Sequence, residues 1–286
     1  MDQIELVRDF NRYYTRRIGV LTDHYLGQDR PLGEARLLFE IGDGADLRDL
    51  RARLGLDSGY LSRLLRSLTR QGLVSVTPRP GDARVRTATL TEDGRRELAD
   101  LDERSRRSVA GLLEPLTLVQ RDRLVEAQTE IHRLLRLAAI SLTAVADSAP
   151  EARFCLRAYA AELSTRFPEG YDRAALLPPG TLGDGTFLVA REEGEPVGCG
   201  LWQRSAPGLA EIRHLWVSAA ARGLGLGRRL LTGLEADAAT RGVTTLRLGT
   251  HAVLTEAIAL YRSAGYREIA PYDDSPYNQV AFEKSL

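Results

Sequence analysis

The segment that most constrains this chain is Arg222-Gly223-Leu224-Gly225-Leu226-Gly227. An apolar run, Ile212 to Val217, precedes it, and an amphipathic helical pattern with Leu230, Leu231, Leu234 and Ala238 follows. Glycines let the backbone turn tightly and approach a ligand closely. Successive N–H groups at the positive end of the following helix then form an anion nest. The expected ligand is a pyrophosphate. A dinucleotide-binding fold does not fit, because the loop lies late in a 286-residue chain and its glycines do not follow G-x-G-x-x-G.

The chain changes texture along its length. Residues 1–140 read as mostly helix with one hairpin, residues 141–152 as a small, polar junction, and residues 153–286 as alternating strands and helices. The 39 basic and 39 acidic residues cancel overall, yet residues 48–96 hold 11 Arg against 5 acids, a candidate phosphate-binding patch. Lys284 is the single lysine, which disfavours Schiff-base chemistry. Two cysteines, Cys155 and Cys199, fit no zinc spacing, and His214 and His251 have no companions at ligand spacing, so no metal is expected. No run approaches the ~18–20 apolar residues of a membrane span, and Asp2 and Glu5 open a chain without a signal-peptide core, so a cytoplasmic protein without a membrane partner is expected.

In the first half, Ile4, Val7, Phe10, Tyr14, Ile18, Leu21 and Tyr25 predict a long amphipathic helix over 3–26, and Pro31 begins a second. A short third helix stops at Gly55. Asp57 or Ser58 caps a fourth that runs to about Gln71, with Leu61, Leu64, Leu65 and Leu68 inward. That spacing is a helix-turn-helix. It leaves Ser58, Gly59, Tyr60, Ser62, Arg63, Arg66 and Arg70 free for solvent or DNA. A hairpin turning between Pro78 and Arg84 follows. Its tip carries Arg79, Asp82, Arg84 and Arg86, with Asp82 suited to hold a neighbouring guanidinium. Two more helices, about Thr91 to Leu113 and Leu118 to Leu137, complete the half.

Leu61-Ser62-Arg63-Leu64-Leu65, Gln71-Gly72-Leu73-Val74, the wing Gly81-Asp82-Ala83-Arg84 and Leu90-Thr91-Glu92-Asp93-Gly94 resemble the MarR family of regulators over nearly all of residues 1–140. The resemblance implies a DNA-binding homodimer made by the outer helices, with recognition helices in major grooves and wings in minor grooves of a palindromic operator.

In the second half, Arg222-x-x-Gly225-x-Gly227 between strand and helix is similar to the signature of the GNAT family of N-acetyltransferases, and Leu260-Tyr261 ahead of Gly265-Tyr266 matches a second. The fold class implied is a mainly α winged helix-turn-helix domain (1–140) and a junction (141–152). An α/β (α+β) acyltransferase fold (153–286) with a mixed, mostly antiparallel sheet completes it. Leu182 to Ala190 and Val197 to Gln203 would be the central hairpin. The resemblance implies acetyl-CoA as cosubstrate. Leu215, Trp216 and Val217 would meet it along the strand, and Arg222, Gly223, Leu224, Gly225, Leu226, Gly227 and Arg228 would cradle its pyrophosphate. It also implies direct attack by an amine, with Glu211 as general base and Tyr261 as acid to the leaving thiolate. Relatives often carry Asn where Val253 or Leu254 stands, so that contact is missing or made otherwise.

The family's acceptor pocket maps to 159–171 and 271–278. Phe167, Tyr171, Tyr272 and Tyr277, with Arg166, Asp273 and Asp274, suit a small amine of amino-acid-like or drug-like kind, or a peptide. Two functions stay open. One is a transcription regulator fused to a working N-acetyltransferase. The other is a regulator whose second domain senses acyl-CoA or a metabolite without turnover.

Overall fold

The computed structural model describes residues 2–19, 30–79 and 81–286, the side chains of Ala83 and Arg84 excepted. It divides into two compact units, residues 1–125 and 126–286. The boundary therefore falls inside a helix and not at the expected junction near 140.

In the first unit, α1 (Gln3–Arg17) is capped by Asp2. The helix predicted over 3–26 ends at Arg17, with Ile18 as its C-cap, and residues 20–26 of that prediction lie outside the described residues. Helices α2 (Leu32–Ile41), α3 (Leu47–Leu54) and α4 (Ser58–Arg70) pack with α5 (Glu92–Leu113) around a leucine core. Gly55 ends α3 with φ 62°, a left-handed turn that suits glycine. Asp57 then caps α4, its carboxylate accepting the Tyr60 N–H at 2.8 Å. Leu61, Leu64, Leu65 and Leu68 are buried. At about 1.5–3 kcal/mol for each buried leucine, they decide which face of α4 turns outward.

Strand β1 (Ala45–Asp46), β2 (Val74–Arg79) and β3 (Asp82–Leu90) form a sheet in the order β1-β3-β2. The wing turn is tighter than Pro78 to Arg84, because both strands continue nearly to its tip. Gly94 has a packing cause: a Cβ there would lie 2.0 Å from the Leu73 carbonyl oxygen. Thr91 locks the same corner, accepting the Gly94 N–H at 3.0 Å and donating to the Gly72 carbonyl at 2.6 Å. Helix α6 (Leu118–Ala139) crosses the unit boundary.

The second unit is a seven-stranded sheet ordered β4-β5-β6-β7-β8-β10-β9. Its strands are β4 (Ser141–Val145), β5 (Gly185–Glu192), β6 (Glu195–Ala206), β7 (Leu209–Val217), β8 (Thr245–Thr250), β9 (Arg267–Ile269) and β10 (Val280–Ser285). All neighbours pair antiparallel except β7 and β8. The expected junction is thus corrected. Residues 141–145 are a strand whose Leu142 pairs with Ala190, and Pro150 already begins helix α7 (Pro150–Arg166). Small size and polarity marked this segment as a linker, but an edge strand needs only backbone hydrogen bonds and one covered face.

Cys155, Leu156 and Ala160 of α7 pack with Phe187, Val189 and Leu201. Leu230, Leu231 and Leu234 of α8 (Leu226–Thr240) pack with Leu188, Ala190 and Trp202. Central strands covered on both sides read as continuous apolar runs, as β5 does. Helix α9 (Thr255–Ser263) follows β8.

Candidate functional site

Strand β7 pairs with parallel β8 only from Leu209 to Glu211, so the two strands separate beyond Glu211. On its other side Cys199 pairs with Trp216 and Leu201 with Arg213, which leaves one extra residue on β7. The bulge places His214 at φ 52°, uncommon for a residue with a Cβ. The bulge and the parting from β8 both expose the β7 backbone beside the loop.

Gly225 caps α8 at φ 91° and ψ 8°, and Gly223 has φ 75°. The first N–H groups of α8 have no intrahelical acceptor, so they are available to an anion. They open on a cavity of about 490 Å³ lined by Leu215, Trp216, Val217, Arg222, Gly223, Gly225, Leu226, Gly227 and Arg228. Leu224 departs from expectation. It is 5% exposed and packs in the core, so its side chain anchors the loop. Arg222 donates through Nε to the Val217 carbonyl at 3.1 Å and also pairs with Glu162.

Glu162 of α7 is a residue that sequence reasoning missed. Its Oε2 accepts the Trp216 indole N–H at 3.0 Å as well as Arg222, while Arg166 pairs with Glu256. The strand-to-loop segment thus has an internal carboxylate where an anionic ligand is expected. No motif marks Glu162. Only its placement one helical face from Tyr159 and Arg166 could have suggested it.

A second, narrower pocket of about 120 Å³ adjoins the point where β7 and β8 part. Glu211, Phe167, Tyr171 and Tyr277 line it, three of them being predicted acceptor residues. Tyr171 and Tyr277 lie 4.8 Å apart by ring centroid, and Phe167 stacks on His251 at 4.2 Å. Tyr272 does not line this pocket. It donates to Glu211 Oε1 at 3.0 Å and takes Arg247 over its ring. Burial pushes the Glu211 carboxyl above its ordinary value, against the opposing Arg213 charge and Tyr272 bond. Arg166 lines the larger cavity instead.

Tyr261 lines both cavities. Its ring packs against Tyr266 and Phe282, and burial raises its pKa, which keeps the phenol protonated. His214 is buried and held down to about 3, by desolvation first and by Arg213 and Arg153 next. Its Nε2 accepts the Leu177 N–H at 3.2 Å, so it is a structural histidine. His251 accepts the Val253 N–H through Nδ1 at 3.1 Å, which puts its hydrogen on Nε2 facing Glu169 at 3.0 Å. Val253 and Leu254 sit at the entry to α9, and Leu254 lines both cavities with an apolar side chain. Among the described residues no three His, Cys, Asp or Glu side chains converge, and no helix is long and apolar enough to cross a membrane.

In the first unit, Ser58, Gly59, Tyr60, Ser62, Arg63 and Arg66 are exposed on α4, as are Arg79, Asp82 and Arg86 on the wing. Ser62, Arg63, Arg66, Arg70 and Arg86 share one groove between α4 and the hairpin. Arg63 lies over the Tyr60 ring at 5.5 Å. Arg79 is held by Asp46 of β1 at 3.0 Å, a partner the sequence did not mark. Asp46 is 33 residues away in sequence, and pairing of β1 with β3 brings it to the wing. The side chain of Arg84 lies outside the described residues.

Residues 28–85 match the model of the MarR family, and residues 153–266 match that of the acetyltransferase (GNAT) family. An IAA acetyltransferase of Azospirillum brasilense is 39% identical over 92 residues, 32% of this chain and 59% of that protein. An uncharacterised N-acetyltransferase of Schizosaccharomyces pombe is 33% identical over 100 residues, 34% of this chain and 61% of that protein. The chain therefore spans about three-fifths of the length of these curated relatives. A solved Klebsiella pneumoniae chain described as an acyl-CoA N-acyltransferase is 35% identical, with TM-score 0.44, over 52% of this chain and 99% of its own.

Proposed function

We propose that this chain, which joins a MarR-family region to a GNAT-family acetyltransferase domain, is a homodimeric transcription regulator that also transfers acetyl from acetyl-CoA to an amine. The observation that carries the reading is Tyr261. It lines both the cavity at the glycine loop and the pocket that holds Glu211, so one phenol borders both compartments.

The residues fit the cosubstrate. Gly223 and Gly225 have left-handed backbones, and a Cβ on Gly223 would meet no atom within 4 Å, so the loop leaves space for phosphate oxygens. Gly225, Leu226, Gly227 and Arg228 supply N–H groups and a guanidinium to the pyrophosphate, and the β7 backbone at Trp216 and Val217 holds the pantetheine arm. Acetyl-CoA supplies the activated thioester carbon.

Glu211, directly or through water, removes a proton from the attacking ammonium so that the nitrogen lone pair can add to that carbon. As the carbon–sulfur bond breaks, the electron pair leaves on sulfur and Tyr261 donates a proton to it. Amide and free thiol are the products; the nitrogen loses its second proton as the adduct collapses, that proton restores the phenol, and Glu211 releases the first to solvent. In the first unit, the Arg63, Arg66 and Arg86 groove meets phosphates of an operator duplex.

The test is thiol release by the full chain with acetyl-CoA against small amines and peptides, beside duplex binding by the same preparation. Turnover with any acceptor together with duplex binding supports both activities. Absence of turnover from every acceptor removes the transferase reading.

A sensor reading has its own support in Arg133. This residue of α6 donates to the Gly223 carbonyl at 3.1 Å, and the same helix begins in the first unit. Under that reading acetyl-CoA changes operator affinity, and the operator changes acetyl-CoA affinity by the same factor.

A further inference from the structure

Five arginines stand on strands of the seven-stranded sheet. Four are matched with carboxylates: Arg191 with Glu151, Arg204 with Asp184, and Arg247 and Arg267 with Glu283. The fifth, Arg213 of β7, has no carboxylate within ion-pair distance among the described residues. Its hydrogen bond is a long one, 3.5 Å to the Ala175 carbonyl. Arg213 is half-buried and lines the narrow pocket. A half-buried guanidinium with no carboxylate in ion-pair contact, only the more distant Glu211 charge, has room for a partner that arrives from outside.

The rest of the pocket narrows the identity of that partner. Glu211 is two residues before Arg213 on the same strand, so both side chains leave one face with their Cβ atoms about 6.5–7 Å apart. A ligand amine about 2.8 Å from one head group and a carboxylate about 2.8 Å from the other fill a gap of that order. His251 does not compete for the carboxylate, because Glu169 and the Val253 N–H already occupy its ring nitrogens. Tyr171, Tyr277 and Phe167 supply an aromatic wall.

We propose that Arg213 pairs with a carboxylate of the acceptor, so that the substrate class is a small amino acid bearing a free amine beside its carboxylate. This rests on the acyl-transfer reading for the reacting amine. A lysine side chain of a protein brings no carboxylate with it and leaves Arg213 unmatched.

The test uses the full chain, acetyl-CoA and matched acceptor pairs: alanine with ethylamine, serine with ethanolamine, phenylalanine with phenethylamine. Thiol release should give kcat/KM about tenfold or more in favour of the amino acid in at least one pair, the size expected of a charge-assisted pair. Arg213→Gln should bring that ratio towards one, with the change in KM, and Arg213→Lys should keep part of it. Retained acetyl-CoA affinity in the variants separates lost recognition from lost fold. Equal kcat/KM within every pair, or a preference unchanged in Arg213→Gln, overturns the proposal. If no acceptor releases thiol, the transferase reading fails separately, and calorimetry of the same compounds with CoA present decides. Binding of an amino acid that Arg213→Gln loses upholds the site, and no binding of any of them overturns it.

Discussion

Tyr272 donates its phenolic hydrogen to Glu211 Oε1 at 3.0 Å, which ties the loop before β10 to the strand where β7 and β8 part. The bond favours the ionised carboxylate, while burial, the larger effect, favours the protonated one and leaves Glu211 above its ordinary pKa. A base must be ionised to accept a proton, so kcat/KM should fall as pH drops through that raised value. Removing the donor in Tyr272→Phe should lift the pKa further and move the acidic limb up by about half a unit to one unit. Glu211→Gln should lower kcat/KM about 10²–10⁴-fold. A pH–rate profile checks both, and an unmoved limb in Tyr272→Phe removes Glu211 as its source. His214, held near 3, stays neutral throughout that range and adds no limb.

The Tyr261 hydroxyl stays protonated because burial opposes the phenolate. Tyr261→Phe keeps the ring packing against Tyr266 and Phe282 and removes the proton donor alone. Turnover should fall about 10²-fold or more, with acetyl-CoA affinity changed little. Steady-state kinetics beside calorimetry separates the two quantities. Equal turnover would end the acid role.

Gly225 has φ 91° at the N-terminus of α8. In Gly225→Glu the backbone is strained and a carboxylate enters the anion site, so acetyl-CoA binding should be lost. Titration calorimetry reads this directly. Native-like circular dichroism together with unchanged affinity would place the pyrophosphate elsewhere.

Much of this architecture is legible in the sequence because local physics writes it there. Gly55, Asp57 and the leucines of α4 mark the helix-turn-helix by cap and period. The strand, glycine loop and helix around Gly225 are contiguous. What was not legible depends on long-range pairing. Ser141–Val145 becomes a strand only because β5 offers an edge. Asp46 reaches Arg79 only through the β1–β3 ladder. Glu162 meets Trp216 and Arg222 across 54 and 60 residues. Leu224 reads as loop but packs as core, since a tight turn leaves its side chain no other dry place. Arg213 stood inside the motif segment, and its period-two relation to Glu211 was visible, but its lack of a carboxylate could be found only in three dimensions.

Arg66 is exposed on α4, donates its Nε hydrogen to the Ser62 carbonyl of its own helix at 3.2 Å, and lines the shared groove with Arg63, Arg70 and Arg86. For a duplex selected by the full chain from random sequence, Arg66→Ala should weaken binding by about 1–2 kcal/mol. It should also reduce the slope of log affinity against log salt by about 0.9 for the lost phosphate contact. Arg79 is partly neutralised by Asp46, so Arg79→Ala should change the slope less. Fluorescence anisotropy across a salt series measures both, and a slope unaltered in Arg66→Ala would move the duplex off this groove.

Helix α1 presents Ile4, Val7 and Phe10 at 65%, 59% and 46% exposure, with the Phe10 and Tyr14 rings stacked at 5.6 Å. None of its residues is buried within one chain. An isolated 15-residue helix is marginal in water, and this apolar stripe suits burial against another surface. In the proposed homodimer a second copy of the chain would supply the same stripe about a two-fold axis, matching the proposed palindromic duplex. Sedimentation should give a dimer for the full chain at micromolar concentration. Val7→Asp combined with Phe10→Asp should shift it to monomer, with acetyl-CoA affinity retained by the second unit and operator affinity reduced by loss of the paired half-site. A wild-type chain that sediments as a monomer at every concentration would exclude α1 as a dimer helix.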